Sequence, residues 1–116
     1  MPTFPPTARL SQPNHYRRVF DSPEYTVSSG AFLILAAPST TKSSRLGVVV
    51  AKKSIRRAVR RNRIKRLVRE QFRHHHFNEA IDLVVLARSS ADQMDNPSVW
   101  QELDRLWRTL ERKVNA

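Results

Sequence analysis

Between Lys52 and Arg73 the chain places eleven basic residues, Lys52, Lys53, Arg56, Arg57, Arg60, Arg61, Arg63, Lys65, Arg66, Arg69 and Arg73, against a single acid, Glu70. The whole chain carries 21 Lys and Arg and 10 Asp and Glu. The ten basic and nine acidic residues left outside the stretch nearly balance, so the net charge of +11 sits almost entirely in one place. Arginine dominates it, and a guanidinium grips phosphate oxygens through a planar fork of donors rather than as a diffuse charge. Such a stripe calls for a polyanion, and nucleic acid is the economical one. On a helical wheel Ile64, Leu67, Val68, Gln71 and Phe72 form one stripe, while Asn62, Lys65, Arg66, Arg69 and Arg73 gather on the opposite side. Like charges three and four residues apart weaken a helix by a few tenths of a kcal/mol per pair, so folding does not ask for this cluster. A row of side chains one turn apart, roughly 5.4 Å, can follow a phosphate backbone and reads shape rather than base sequence.

The residues that would cleave a phosphodiester are not gathered. Two-metal hydrolysis needs converging carboxylates, and Asp21, Glu24, Glu70, Glu79, Asp82, Asp92, Asp95, Glu102, Asp104 and Glu111 are scattered. His74, His75 and His76 are consecutive, so on a helix they diverge by about 100 degrees each and cannot all reach one metal. They suit the C-terminal end of a helix, where the dipole favours positive charge. Two glycines, Gly30 and Gly47, make no phosphate-cradling loop, and no nucleophile elbow is present. With no cysteine there is neither a disulfide, a thiolate nucleophile nor a Cys-ligated zinc. No catalytic residue and no metal ligand is expected in the protein itself.

The elements that must hold the basic stripe can be read around it. Residues 1–8 carry prolines and no periodicity and are expected to be a flexible lead-in, with one domain over 9–114. A short helix from Pro13 to Phe20, capped by Ser11 or Gln12, sets Tyr16 and Phe20 one turn apart. Ala31 to Ala36 and Leu46 to Ala51 have the pattern of an antiparallel hairpin joined by a polar loop, and Glu24 to Ser29 could add an edge strand. The long helix runs to about His76. Ile81 to Ala87 is a third strand whose unbroken apolarity asks for cover on both faces, making a βαβ unit with the helix. A last helix follows, capped by the box Ser98 to Gln101 or by Asn96-Pro97. Its apolar stripe is Trp100, Leu103, Trp107 or Leu106, Leu110 and Val114, and Arg112 and Lys113 sit at its C-terminal end. Both tryptophans are expected to pack in the core.

The 116 residues fit one domain with a modest core, and 40% apolar content is enough to fold it. No run approaches the roughly 18 apolar residues of a membrane span, and residues 1–10 lack a secretory signal, so a soluble cytoplasmic protein with no membrane partner is expected.

The stretch Val49 to Phe72, VVAKKSIRRAVRRNRIKRLVREQF, resembles the bacterial ribonuclease P protein component. The family signature is a strand ending in Ala-Lys-Lys, then a helix carrying R-N-R-x-K-R-x-x-R-E, matched here by Arg61, Asn62, Arg63, Lys65, Arg66, Arg69 and Glu70. The likeness runs from about Arg9-Leu10 through Tyr16-Arg-Arg-Val-Phe20 to the Leu-x-x-Leu-Trp of the last helix. It implies an α+β fold, a two-layer α-β sandwich whose central mixed sheet of about four strands contains a left-handed βαβ crossover. It also implies an accessory role, in which an RNA subunit with bound Mg²⁺ removes the 5′ leader of precursor tRNA. One protein per RNA is expected. Carried over by position, the face toward the catalytic RNA is Lys52, Lys53, Arg57, Arg60, Arg61, Asn62, Arg63, Lys65, Arg66 and Arg69, and the family's basic helix also helps to site metal ions. The leader cleft is Tyr16, Phe20, Leu33 and Leu35; tyrosine at position 16 stands where the family commonly has phenylalanine. The two aromatics suit base stacking, worth about 1 to 3 kcal/mol per base, and equally suit core packing. The alternative is a general basic RNA-binding, ribosomal or RNA-chaperone protein. A major-groove DNA regulator is disfavoured, since the basic helix lies between strands and lacks a dimerising heptad.

Overall fold

The computed structural model describes residues 9–75 and 77–116; the lead-in expected over 1–8, and His76, lie outside the described residues. The elements in chain order are α1 (Pro13–Asp21), β1 (Tyr25–Ser28), β2 (Phe32–Pro38), β3 (Arg45–Val50), α2 (Ala58–Phe72), β4 (Ile81–Ala87), a 3-10 turn (Ser89–Gln93) and α3 (Asn96–Val114). They form an α+β fold around a four-stranded mixed sheet in the order β1-β2-β4-β3.

The position of β4 follows from its composition. Its residues are apolar except Asp82, and all but Leu86 are buried, so it is stable only where both faces are covered and both edges are paired. It pairs antiparallel with β2, Phe32 opposite Ala87 through Pro38 opposite Ile81, and parallel with β3, Arg45 beside Asp82 through Val50 beside Ala87. The expected hairpin between β2 and β3 is therefore corrected: β4 stands between them. The true hairpin joins β1 and β2, closed by the Ser29 amide donating to the Phe32 carbonyl at 2.8 Å. The polar loop after β2 instead crosses the start of β4, where Ser39 donates to the Ala80 carbonyl at 2.9 Å and the Ile81 amide donates to the Ser44 hydroxyl at 3.0 Å. β3, α2 and β4 make the expected βαβ unit.

Alternation along the strands sorts the apolar residues onto two faces. Phe32, Ile34, Ala36, Leu46, Val50, Ile81, Leu83 and Val85 meet Ile64, Val68 and Phe72 of α2 and Leu103, Trp107 and Leu110 of α3 in the main core. α2 lies over β3, α3 lies over β1, and the two helices pack side by side. The other face carries α1, with Val19 wholly buried among Leu10, Ala37 and Val84.

The helices depart from expectation in detail. α2 starts at Ala58 and ends at Phe72, and the predicted stripe holds: Ile64, Val68, Gln71 and Phe72 are buried and Leu67 packs against them. Gln71 is polar but links the helices, its Nε2 donating to the Trp100 carbonyl at 2.7 Å. α3 is capped by Asp95, whose carboxylate accepts from the Ser98 amide at 2.9 Å, rather than by a Ser98 box. The acid one residue before the helix has the reach for this bond, and the first helical turn begins with Asn96 and Pro97. The stripe of α3 is then Val99, Leu103, Leu106, Trp107, Leu110 and Val114; Trp107 is fully buried, while Trp100 is 37% exposed and lies at the edge of the stripe.

Candidate nucleic-acid interface

The loop after β3 and the outer side of α2 display the basic stretch. Lys52, Lys53, Arg57, Asn62 and Arg66 are exposed, and Lys65 and Arg69 are half-buried. Arg56, absent from the expected set, is exposed beside them. Among the described residues none of the side chains of Lys52, Lys53, Arg56, Arg57, Lys65 and Arg66 has a hydrogen bond or ion pair with another residue. Six cations thus stand together without a carboxylate to neutralise them.

Three arginines of the expected set are engaged inside the molecule. Arg60 pairs with the Asp92 carboxylate and also donates to the Asp92 carbonyl at 2.5 Å. Arg63 donates to Asn96 Oδ1 at 2.6 Å, tying α2 to the first turn of α3. Arg61 turns back onto the loop, donating to the carbonyls of Ile55 at 3.1 Å and Arg56 at 2.7 Å. These bonds set the angle of α2 and the shape of the loop that precedes it. Arg73, grouped on the wheel with the outer cations, pairs with Glu70 at 2.5 Å. His75 lies between α2 and α3, stacked on Trp107 with ring centroids 5.8 Å apart and hydrogen-bonded to Glu111.

The second set, Tyr16, Phe20, Leu33 and Leu35, lies on the α1 side of the sheet. The pairing registers lay out three rows across β2, β4 and β3: Leu33-Leu86-Val49, Leu35-Val84-Gly47 and Ala37-Asp82-Arg45. α1 covers the last two. Leu33, Leu86 and Val49 in the first row are only half-buried, and Phe20 is 40% exposed. An apolar strip with aromatic groups on one flank therefore remains open to solvent, which is what stacked bases require.

Two features that sequence reasoning missed hold α1 in place. Gly47 lies beneath Tyr16: a Cβ built there would stand 2.4 Å from Cε1 of the ring, so only glycine lets the aromatic lie on the sheet. A lone glycine inside a Val-rich strand was the available signal. Asp82, fully buried, accepts from Arg45 Nε at 2.9 Å and Nη2 at 2.6 Å, from Ser39 at 2.9 Å and from Arg18 of α1 at 2.5 Å. Burial alone would raise the Asp82 carboxyl; the bonds from Arg45 and Ser39, the Arg45 charge and the bond from Arg18 outweigh it and hold the group below the ordinary carboxylate value. A single acid inside an apolar strand carried little hint of three partners so distant in sequence.

The two surfaces meet at Tyr16. Its hydroxyl donates to the Leu10 carbonyl at 3.1 Å, and burial raises its pKa against the opposing pull of the Arg69 charge on α2. Arg69 in turn is shifted down by burial and by the charge of Arg9, with Tyr16 acting against them.

The described residues contain no group of three or more His, Asp or Glu able to hold a metal ion. The exposed face is cationic and the nearby acids are engaged by Arg60, Arg73 and His75, so these side chains do not fit an Mg²⁺ site of their own.

Comparison with known proteins agrees with this geometry. The model of the family described as Ribonuclease P matches residues 4–111. The ribonuclease P protein component of Chromohalobacter salexigens is 43% identical over 112 residues, covering 96% of this chain and 88% of the relative. That of Marinobacter nauticus is 41% identical over 111 residues, covering 96% and 84%. The structure of the Staphylococcus aureus RNase P protein superposes with a TM-score of 0.82 at 28% identity, covering 94% of this chain and 98% of that one.

Proposed function

The chain belongs to the ribonuclease P protein family, and from that premise we propose that it binds the catalytic RNA through the loop and outer face of α2 and the 5′ leader of precursor tRNA through the α1 side of the sheet. As a ribonuclease P protein component it is a part of an endoribonuclease and a partner of the ribonuclease P RNA. Hydrolysis is assigned to the RNA subunit, with Mg²⁺ held by RNA oxygens. The protein's residues bring strands together and offset phosphate repulsion.

The observation that carries the reading is the set of six cations, Lys52, Lys53, Arg56, Arg57, Lys65 and Arg66, that have no partner among the described residues. A solvated helix face mixes signs, whereas this one does not. The open strip of Leu33, Leu86 and Val49, flanked by Phe20 and close to Tyr16, supplies stacking surface for single-stranded leader. Arg60, Arg61 and Arg63 support the interface by positioning α2 and its loop. One protein per RNA and a cytoplasmic setting complete the proposal.

The test is multiple-turnover processing of a leader-bearing precursor tRNA by a bacterial ribonuclease P RNA at low Mg²⁺, with and without the protein. Strong stimulation that grows with leader length is expected. Cleavage by the protein without RNA would overturn the assignment of hydrolysis, and stimulation indifferent to the leader would favour a general RNA chaperone.

A further inference from the structure

We propose that the hollow between the free edge of β1 and α3 takes a backbone phosphodiester of the 5′ leader as the strand leaves the open strip of the sheet; this rests on the reading of the α1 side of the sheet as the leader surface and extends it by one site.

The hollow has a volume of about 450 Å³ and is lined by Ser28, Ser29 and Gly30 at the end of β1 and by Arg105, Thr109 and Lys113 of α3. β1 is the edge strand of the sheet. The Ser29 amide donates to β2, so the alternation of an antiparallel ladder turns the backbone groups of Ser28 and Thr26 outward. The Lys113 ammonium reaches this edge, where it donates to the Thr26 carbonyl at 3.1 Å and has two further donors to give. Arg105, Thr109 and Lys113 follow one another at four-residue intervals, roughly 6 Å apart along one side of the helix. Arg105 is exposed, and its contact with Glu102 at 3.8 Å is too long for a hydrogen bond, which leaves the guanidinium able to turn to a ligand. No carboxylate belongs to the lining. A guanidinium, an ammonium and an outward backbone amide around one space are the donor set of a phosphate.

Register shows which strand would bring the phosphate there. Ser28 is the partner of Leu33, Leu33 of Leu86 and Leu86 of Val49, so the half-buried apolar row is continued by Ser28 to the edge of β1. The row crosses three spacings between strands, about 14 Å. Its Val49 end lies three residues from Lys52, in the basic loop that precedes α2, and its Ser28 end opens on the hollow. A leader that comes from the catalytic RNA over Val49 and stacks along the row therefore arrives at the β1 edge, where apolar surface gives way to donors.

The test measures binding of precursor tRNA by the holoenzyme, the full chain with a bacterial ribonuclease P RNA, as the leader is lengthened one nucleotide at a time. The native protein is expected to gain affinity in a step at the length that spans the row and reaches the hollow. The double variant Arg105→Ala with Lys113→Ala is expected to lose that step, roughly five- to tenfold, and to lower the salt slope for long leaders by about 0.7, the share of one single-strand phosphate. Its binding of shorter leaders, of mature tRNA and of ribonuclease P RNA alone should equal that of the native protein. Arg105→Lys with Lys113→Arg, which keeps both charges, should retain most of the step, and Arg108→Ala, which removes an α3 cation outside the hollow, should retain all of it. A single methylphosphonate at the step nucleotide should reproduce the loss in the native protein, a readout that does not depend on how a variant folds, and should add nothing to the double alanine variant. A loss equal at every leader length, a loss that falls on ribonuclease P RNA alone, or an unchanged step with the melting temperature retained would each overturn the site. Self-association of the native protein that the double variant abolishes would assign the β1 edge to a second copy of the chain and overturn it as well. A native holoenzyme that binds leader-bearing and mature tRNA alike would refute the leader reading itself, an outcome distinct from a leader-dependent affinity that the double variant preserves.

Discussion

Arginines of a single helix divide here by what their guanidiniums hold. Arg66 is exposed with no partner among the described residues, whereas Arg63 is bonded to Asn96. Arg66→Ala is expected to leave the melting temperature unchanged and to weaken RNA binding, lowering the salt slope by about one. Arg63→Ala should lower stability by about 1 kcal/mol through its lost hydrogen bonds, with a smaller change in slope; thermal melts and a salt titration of RNA affinity separate the two. Gly47→Ala brings a methyl group 2.4 Å from the Tyr16 ring. It should cost about 1 to 3 kcal/mol and reduce affinity for leader-bearing substrate more than for catalytic RNA. At Asp82 the sign of the pH dependence is fixed by the depressed carboxyl: its contribution is fully present above the unfolded carboxylate value of about 3.9 and disappears as pH falls through the lower folded value. Asp82→Asn should lose about 3 to 5 kcal/mol at neutral pH, because Arg45 stays buried without its partner. The variant's melting temperature should also fall less steeply with acid than that of the native protein.

At the scale of elements, what could be read from sequence follows from what is local. The basic helix, its buried stripe and the doubly covered strand Ile81–Ala87 each carry their periodicity in adjacent residues, and the structure reproduces them. Pairing is not local. β2 and β3 look like neighbours because a short loop joins them, and only the need of β4 for partners on both edges separates them. The candidate site divides in the same way. The exposed cations were legible as a cluster, while the engagement of Arg60, Arg61 and Arg63 depends on carbonyls and side chains that the wheel cannot show. The cap of α3 was misread because Asp95 and Ser98 both fit the pattern, and geometry chose the acid. Asp95→Ala should therefore destabilise the protein by about 1 kcal/mol, and Ser98→Ala, which keeps the backbone amide, by much less; denaturant melts measure both.

For the molecule as a whole, charge is arranged by face. The loop and outer side of α2 carry cations with Glu70 as the one acid of the helix, whereas the exposed surface of α3 mixes signs, as in Arg108 with Asp104 at 2.9 Å and Arg105 near Glu102 at 3.8 Å. RNA affinity should then fall steeply with salt while folding stability changes little, since the buried cluster at Asp82 is shielded from the ions that screen the surface. The central place of β4 also bears on how the chain becomes a protein. During synthesis β2 and β3 are both complete while the strand that must lie between them is still to come, and the cationic helix is made in the interval. The sheet closes only after Ala87 has been added, so the nascent chain carries two open apolar edges and a polycation at the same time, and the contacts that end this state span long stretches of sequence and form late.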